Sequence, residues 1–134
     1  MKRSRSLALV LLLGLVPLAS LADVDWNAHK AADTVVIVNA DEDGAPRETT
    51  IWLCVLEGQG YVRGGSGQWV ANTLRSGDVK LRVDGSELAL HATQLTDASE
   101  IERVTAAFRE KYGFSDVLAT VIRGKPTIFR LAPR

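Results

Sequence analysis

Residues 48–67 read ETTIWLCVLEGQGYVRGGSG. Glu48 to Leu56 is rich in β-branched and aromatic residues, the composition of a strand. Gly58-Gln59-Gly60 then supplies the backbone freedom of a tight turn, and Tyr61-Val62-Arg63 returns as a second strand. Gly64-Gly65-Ser66-Gly67 follows with almost no side chains, which is loop chemistry. A hairpin running into a glycine-rich loop is therefore the unit around which the remaining elements must be arranged.

Upstream, Thr34 to Asn39 (TVVIVN) is a β-branched run, separated from the hairpin by the turn residues Asp43-Gly44 and Pro46. Downstream, Gln68 to Arg75 (QWVANTLR) suits a short helix, ended by Ser76-Gly77. Val79, Leu81 and Val83 alternate with Lys80, Arg82 and Asp84, the period of a half-exposed strand. Asp84-Gly85 is a second hairpin turn, and Glu87 to Leu95 returns with Leu88, Leu90 and Ala92 on one face. Asp97 and Glu100 have the spacing of a capping box. Ile101, Val104, Phe108 and Tyr112 then form one helical stripe, ended by Gly113. Val117 to Ile122 and Thr127 to Leu131 read as two final strands joined by Arg123-Gly124-Lys125-Pro126. The expected fold is mainly β: a small antiparallel barrel with one short and one longer inserted helix. Closure disposes of exposed strand edges, and the longer helix is expected across an opening.

The first 22 residues differ from the rest. MKRSRS is basic, Leu7 to Leu18 is nearly unbroken apolar, and Ser20 and Ala22 have the spacing of a signal-peptidase site. The apolar run is broken by Pro17 and is short for a membrane span, which needs ~20 residues. Residues 1–22 are thus expected to be a cleaved secretion signal, leaving a periplasmic or extracellular protein with no stable membrane span. No Cys follows the cut, and Arg3 and Arg5 are split by Ser4, so neither a lipoprotein nor a twin-arginine route fits. Residues 23–33 form a polar lead-in carrying Trp26, and residues 34–134 form one domain. The whole chain has 16 basic and 16 acidic residues. Loss of Lys2, Arg3 and Arg5 leaves 13 against 16, a charge of −3. That charge disfavours nucleic acid as a partner. One Cys excludes an intramolecular disulfide, and two His that are 62 positions apart give no metal-ligand spacing.

The residues with chemical potential cluster around the opening hairpin. A helix start behind Gly64–Gly67 can present backbone N–H groups to an anion. Arg63 and Arg47 can add charge and bidentate bonding, and Thr49 and Thr50 add hydroxyls. The same loop is equally a plain connector. Trp52 and Trp69 can flank a planar ring or serve as core aromatics. Cys54 shares a strand face with Trp52 and Leu56 and reads as a buried, inert thiol. No Ser-His-Asp or Cys-His spacing is present, and no catalytic acid or base can be nominated.

The strand ETTIWLCVLEGQGYVRGG, the loop and helix GSGQWVANTLRSGDVKLRVDG, the return strand and the helix ending AAFREKYG together resemble a known group. This is the FMN-binding split-barrel superfamily, pyridoxamine-phosphate-oxidase-like. The nearest part is its deazaflavin-dependent nitroreductase branch and a small uncharacterised family beside it. The likeness spans about residues 47–134 and lies in the order of weak motifs. It implies a split barrel, a homodimer, and a small-molecule ligand: FMN or a deazaflavin, without a metal. The matching cofactor positions are Arg47, Thr49, Thr50, Trp52, Arg63, Gly65, Ser66, Gln68 and Trp69. Two features depart from the branch: no basic residue lies within Gly64–Gly67, and the chain carries an export signal. Two expectations follow. One is an exported, flavin-dependent oxidoreductase. The other is a cofactor-less periplasmic binding or interaction module of the same fold.

Overall fold

A computed structural model describes residues 23–134 and, within them, every side chain except those of residues 120–123. The expected secretion signal at residues 1–22 lies outside the described residues. Six antiparallel strands form a closed barrel: β1 (Thr34–Ala40), β2 (Pro46–Leu56), β3 (Gln59–Gly64), β4 (Asp78–Val83), β5 (Ser86–Gln94) and β6 (Thr127–Pro133). Their order around the barrel is β1-β2-β3-β6-β5-β4, and β4 closes on β1. Three helices are inserted: α1 (Gln68–Ser76), α2 (Ala98–Tyr112) and α3 (Phe114–Arg123).

The barrel fills with the inward half of each strand. Ile37, Leu53, Val62, Leu81 and Leu90 are buried to the last few square ångströms. β4 alternates strictly, with Val79, Leu81 and Val83 in and Asp78, Lys80 and Arg82 out. The hairpin turns are two residues long. Glu57 and Gly58 join β2 to β3 with φ of +52° and +74°, and Asp84 and Gly85 join β4 to β5 with +48° and +78°. Two successive positive φ angles match the twist of the flanking strands. The first turn thus falls at Glu57-Gly58, and Gly60 sits inside β3 for another reason. A Cβ there would stand 2.6 Å from the Trp26 ring. Trp26, on a 3-10 turn over residues 26–29, is pinned and buried at this end of the barrel. His29 Nδ1 meets Asp84 at 2.8 Å and ties the lead-in to the β4–β5 turn.

At the other end, α1 crosses the barrel mouth and drops Trp69 and Val70 into the core. A buried amide network fixes it. Asn39 Nδ2 donates to the Trp69 carbonyl and to Thr73 Oγ1, both at 3.0 Å, and Asn72 Nδ2 donates to Asp41 Oδ1 at 2.8 Å. α2 does not span an opening. It lies on the outer face of the barrel, where Val104 and Phe108 pack against Cys54, Tyr61 and Ile128. The expected cap is present: Asp97 Oδ2 accepts from the Glu100 N–H at 2.8 Å.

One expected element is corrected. Residues 117–122 belong to helix α3, not to a strand, so six strands and three helices replace seven and two. The apolar pairs Val117-Leu118 and Val121-Ile122 recur at a spacing of four, a helical period. Their β-branched content suggested a strand, but Gly113 and Phe114 start a new helix directly after α2. Among the described residues no helix is long and apolar enough to cross a membrane.

Candidate functional site

β2 changes partner half-way along its length. Its register with β3 runs from Leu53↔Val62 to Leu56↔Gln59. Before Leu53 it pairs with β1, from Trp52↔Thr34 to Pro46↔Ala40. β3 in turn continues along β6 through Arg63↔Ile128 and Gly64↔Thr127. The two strands therefore diverge beyond Leu53 and Val62, and a wedge opens between them. The wedge is a cavity of about 990 Å³. Thr49 to Trp52 form one wall, and Arg63 with residues 64–67 and Trp69 form the other. Ser115, Leu118 and Ala119 of α3, with Gly124 and Pro126, form the cover.

Seven of the nine sequence-nominated residues line this wedge: Thr49, Thr50, Trp52, Arg63, Gly65, Ser66 and Trp69. Arg47 and Gln68 do not. Arg47 holds Asp41 through Nε at 2.7 Å and Nη2 at 3.1 Å, at the exposed β1–β2 turn. Gln68 Nε2 donates to Asn72 Oδ1 at 3.0 Å, within α1. Trp69 is a core residue whose ring tilts against Phe129, and it also lines the wedge. Gly64 accommodates that ring, since a Cβ there would lie 2.5 Å from it. None of Gly64, Gly65 and Gly67 takes a positive φ, so the loop is not a nest of alternating hand. Its anion-binding capacity is that of the helix start: Gly67 is the N-cap of α1, with no side-chain cap bond.

Arg63 is the only cationic residue lining the wedge among the described residues. Its side chain is 8% exposed. The guanidinium lies 4.2 Å over the Phe108 ring and 6.0 Å from the Trp52 ring. Burial lowers its pKa below the ordinary arginine value. It forms an ion pair with Asp116 of α3, which is fully buried and also stands 3.6 Å from Arg109 Nε. Arg63 Nη1 nevertheless has no hydrogen-bond partner among the described residues. A buried guanidinium with an unused donor pair is a costly arrangement, and a wedge beside it is a place for an acceptor.

The floor is held by the end of α2. Trp52 stacks on Tyr112 at 4.1 Å with planes 5° apart. The single proton of the Tyr112 hydroxyl lies between two carbonyl acceptors, Asp33 at 2.6 Å and Leu53 at 2.9 Å, and the hydroxyl oxygen accepts from the Leu53 N–H at 3.2 Å. Lys111 Nζ reaches the carbonyls of Ala32 and Leu53 at 2.6 and 2.7 Å. These bonds occupy the edge of β2 where β1 has ended. Burial pushes the Tyr112 hydroxyl up to about 12 and the Lys111 ammonium down. Cys54 beneath them is buried and its thiol is likewise pushed up, chiefly by burial, so it is no thiolate. Among the described residues no three His, Cys, Asp or Glu side chains are placed to hold a metal. Leu118 is missing from the sequence nominations because residues 117–122 read as a strand, and Ser115 and Asp116 because they fall between the expected helix and that strand. The spacing of four in residues 117–122 was the signal that could have placed them.

The comparisons with known proteins agree with this architecture. The sequence model of a family described as an uncharacterized protein conserved in bacteria (DUF2255) matches residues 26–130. No curated protein matches in sequence. In structure, the chain is similar to HutZ, the heme storage protein of Vibrio cholerae. The TM-score is 0.67 at 14% identity, covering 81% of this chain and 87% of that one. It is similar to a provisionally assigned pyridoxamine 5′-phosphate oxidase of Listeria innocua, with TM-score 0.60, 14% identity and coverage of 81% and 90%. It is also similar to a FAD-binding protein of Mesorhizobium loti, with TM-score 0.59, 14% identity and coverage of 81% and 86%. The fold is the pyridoxamine-phosphate-oxidase-like split barrel.

Proposed function

We propose that this chain, which belongs to the DUF2255 family and carries the split-barrel fold, binds a flavin-type cofactor in the wedge between β2 and β3 and works as an oxidoreductase. The observation that carries this reading is Arg63: a guanidinium nine-tenths buried, on the wall of a large cavity, with Nη1 unused. A phosphate ester is the acceptor that best matches a guanidinium fork. Hydroxyls of Thr49, Thr50 and Ser66 and the open start of α1 lie on the same walls. Trp52, Ile51 and Leu118 offer apolar surface for a planar ring. Related folds named for FAD, heme and pyridoxamine phosphate support a planar, anionic ligand as the class.

FMN or a deazaflavin is the cofactor proposed, and redox chemistry is what either would supply when bound. This chain's residues would hold the phosphate at Arg63 and Ser66, exclude water with Trp52 and Leu118, and contribute no acid or base. The working unit is a homodimer. The protein is exported through residues 1–22 and acts in the periplasm or outside the cell, so the cofactor is acquired after export. Titration of the purified protein with FMN and with a deazaflavin, read by tryptophan quenching, tests the ligand. Saturable binding is expected, and Ser66→Asp should abolish it by setting a carboxylate against the phosphate. Colourless protein that neither compound quenches would instead favour a cofactor-less binding module. The Arg63–Asp116 ion pair is the observation behind that second reading, because it gives the buried cation an internal partner.

A further inference from the structure

The split that opens the wedge also leaves main chain without a partner. The N–H and C=O of Leu53 point away from β3, since they meet Tyr112 and Lys111 beyond the end of β1. In an antiparallel strand the direction of these groups alternates with each residue. Ile51 and Thr49 therefore turn theirs toward β1, opposite Val35 and Ile37. Thr50 turns its N–H and C=O the other way, toward the side that β3 has left. Continued past Leu53↔Val62, the β2–β3 register would set Thr50 against Gly65, but β3 follows β6 and Gly65 lines the opposite wall. Among the described residues no hydrogen bond meets the Thr50 main chain on that side. Thr50 is exposed and lines the wedge beside Ile51 and Trp52. One donor and one acceptor thus stand side by side on the wall, as on the open edge of any sheet.

From this we infer that the Thr50 main chain reads the edge of the bound ring, and that the wedge selects rings ending in an imide. This rests on the flavin reading of the wedge. Flavins and deazaflavins share an edge of C=O, N–H and C=O. The ring N–H is the donor that the Thr50 carbonyl lacks, and a flanking ring carbonyl is the acceptor that the Thr50 N–H lacks. Together they replace the bonds that a neighbouring strand would make. Water serves both groups while the wedge is empty, and a ligand seated there displaces it. A heme has carboxylates for Arg63 but no N–H at its ring edge, so it would leave the Thr50 pair desolvated and unmatched, which is costly. Charge at Arg63 accepts either ligand, whereas the strand edge separates them. Because the reader is main chain, no side-chain motif marks it in the sequence.

Amide hydrogen exchange with and without FMN, and affinities for FMN, 3-methyl-FMN and hemin, test this. In the ligand-free protein the Thr50 N–H should exchange at least about tenfold faster than those of Thr49 and Ile51, which face β1, and FMN should slow it by a similar factor. 3-Methyl-FMN keeps the ring and the phosphate but lacks the donor. It should bind about tenfold more weakly than FMN, the size of one hydrogen bond, and hemin should also bind more weakly than FMN. Thr50→Pro removes the N–H without breaking a bond to β1. It should weaken FMN by a similar factor and abolish the downshift of a flavin carbonyl stretch that binding to wild type produces. Equal affinities for FMN and 3-methyl-FMN, or bound FMN that leaves Thr50 unprotected, would overturn the edge reading and keep flavin in the wedge. Slow exchange at Thr50 in the ligand-free protein overturns it without any ligand. The wild-type readouts stand if Thr50→Pro fails to fold. No binding of FMN, or tighter binding of hemin, rejects the flavin reading, and the edge reading falls with it.

Discussion

Helices α2 and α3 are neighbours in sequence, separated by Gly113 alone, yet they are attached to the barrel by opposite means. α2 is fixed by apolar burial: Val104 and Phe108 are completely enclosed, flanked by Ile101, Ala107 and Tyr112. Its last turn adds directional bonds from Lys111 and Tyr112 to the free edge of β2. In α3, Phe114, Val117 and Leu118 are exposed, and the buried described side chain is Asp116, which pairs with Arg63. Apolar burial is indifferent to small anions, whereas an ion pair competes with every anion that reaches it. One helix therefore belongs to the permanent core and the other to the site.

The largest expected effect falls on α2. Phe108→Ala removes a fully buried ring beneath the Arg63 guanidinium and leaves a cavity among Cys54, Val104 and Tyr112. The loss should be about 3–5 kcal/mol of global stability, measured by urea unfolding. A loss near zero would mean that α2 is no more anchored than α3, and the contrast would disappear.

Tyr112→Phe should cost less, about 1–3 kcal/mol, because it strips the hydroxyl from Leu53 and Asp33 but keeps the ring on Trp52. It also has a pH signature. Burial pushes the hydroxyl's pKa up to about 12 in the folded chain, against 10.0 for an ordinary tyrosine. Its contribution is complete below pH 10, where both states hold the proton. Between about 10 and about 12 the unfolded chain loses its proton first, so stability falls as pH rises. Wild type should therefore lose stability across that window more steeply than Tyr112→Phe. Parallel alkaline profiles would show that the hydroxyl is not held as the geometry has it.

The same contrast explains what could be read in advance. The stripe Ile101, Val104, Phe108 repeats at a helical period with a cap at Asp97, so local pattern and tertiary burial agree and α2 was legible. The barrel strands were legible for the same reason, as β4 shows. The segment after Gly113 has β-branched residues at 117, 120, 121 and 122, and propensity suggested a strand where periodicity suggested a helix. The glycine-rich loop and Arg63 were placed on one wall because they are adjacent in sequence. Asp116 was invisible because its partner is 53 positions away, and nothing local marks an acid that will be buried. Arg47 and Gln68 were nominated by position in a motif, but each has a nearer partner in Asp41 and Asn72.

The smallest expected effect is also the most discriminating. Asp116→Ala removes one partner of a buried ion pair, which ordinarily costs about 3–5 kcal/mol because a charge is left uncompensated in the interior. That penalty assumes the surviving charge stays buried. Here Arg63 lines a large cavity, and the element covering it contributes no other buried described side chain. Once α3 detaches, water reaches the guanidinium through the wedge, and the penalty is capped at the free energy of detaching the helix. Phe114, Val117 and Leu118 are already exposed, so the described side chains return little apolar area to water, and for them that cap is about 1 kcal/mol. Urea unfolding of Asp116→Ala should therefore shift far less than that of Phe108→Ala, while amide exchange in residues 114–119 rises. A loss as large as for Phe108→Ala would place α3 in the permanent core, and the two helices would differ in chemistry but not in consequence.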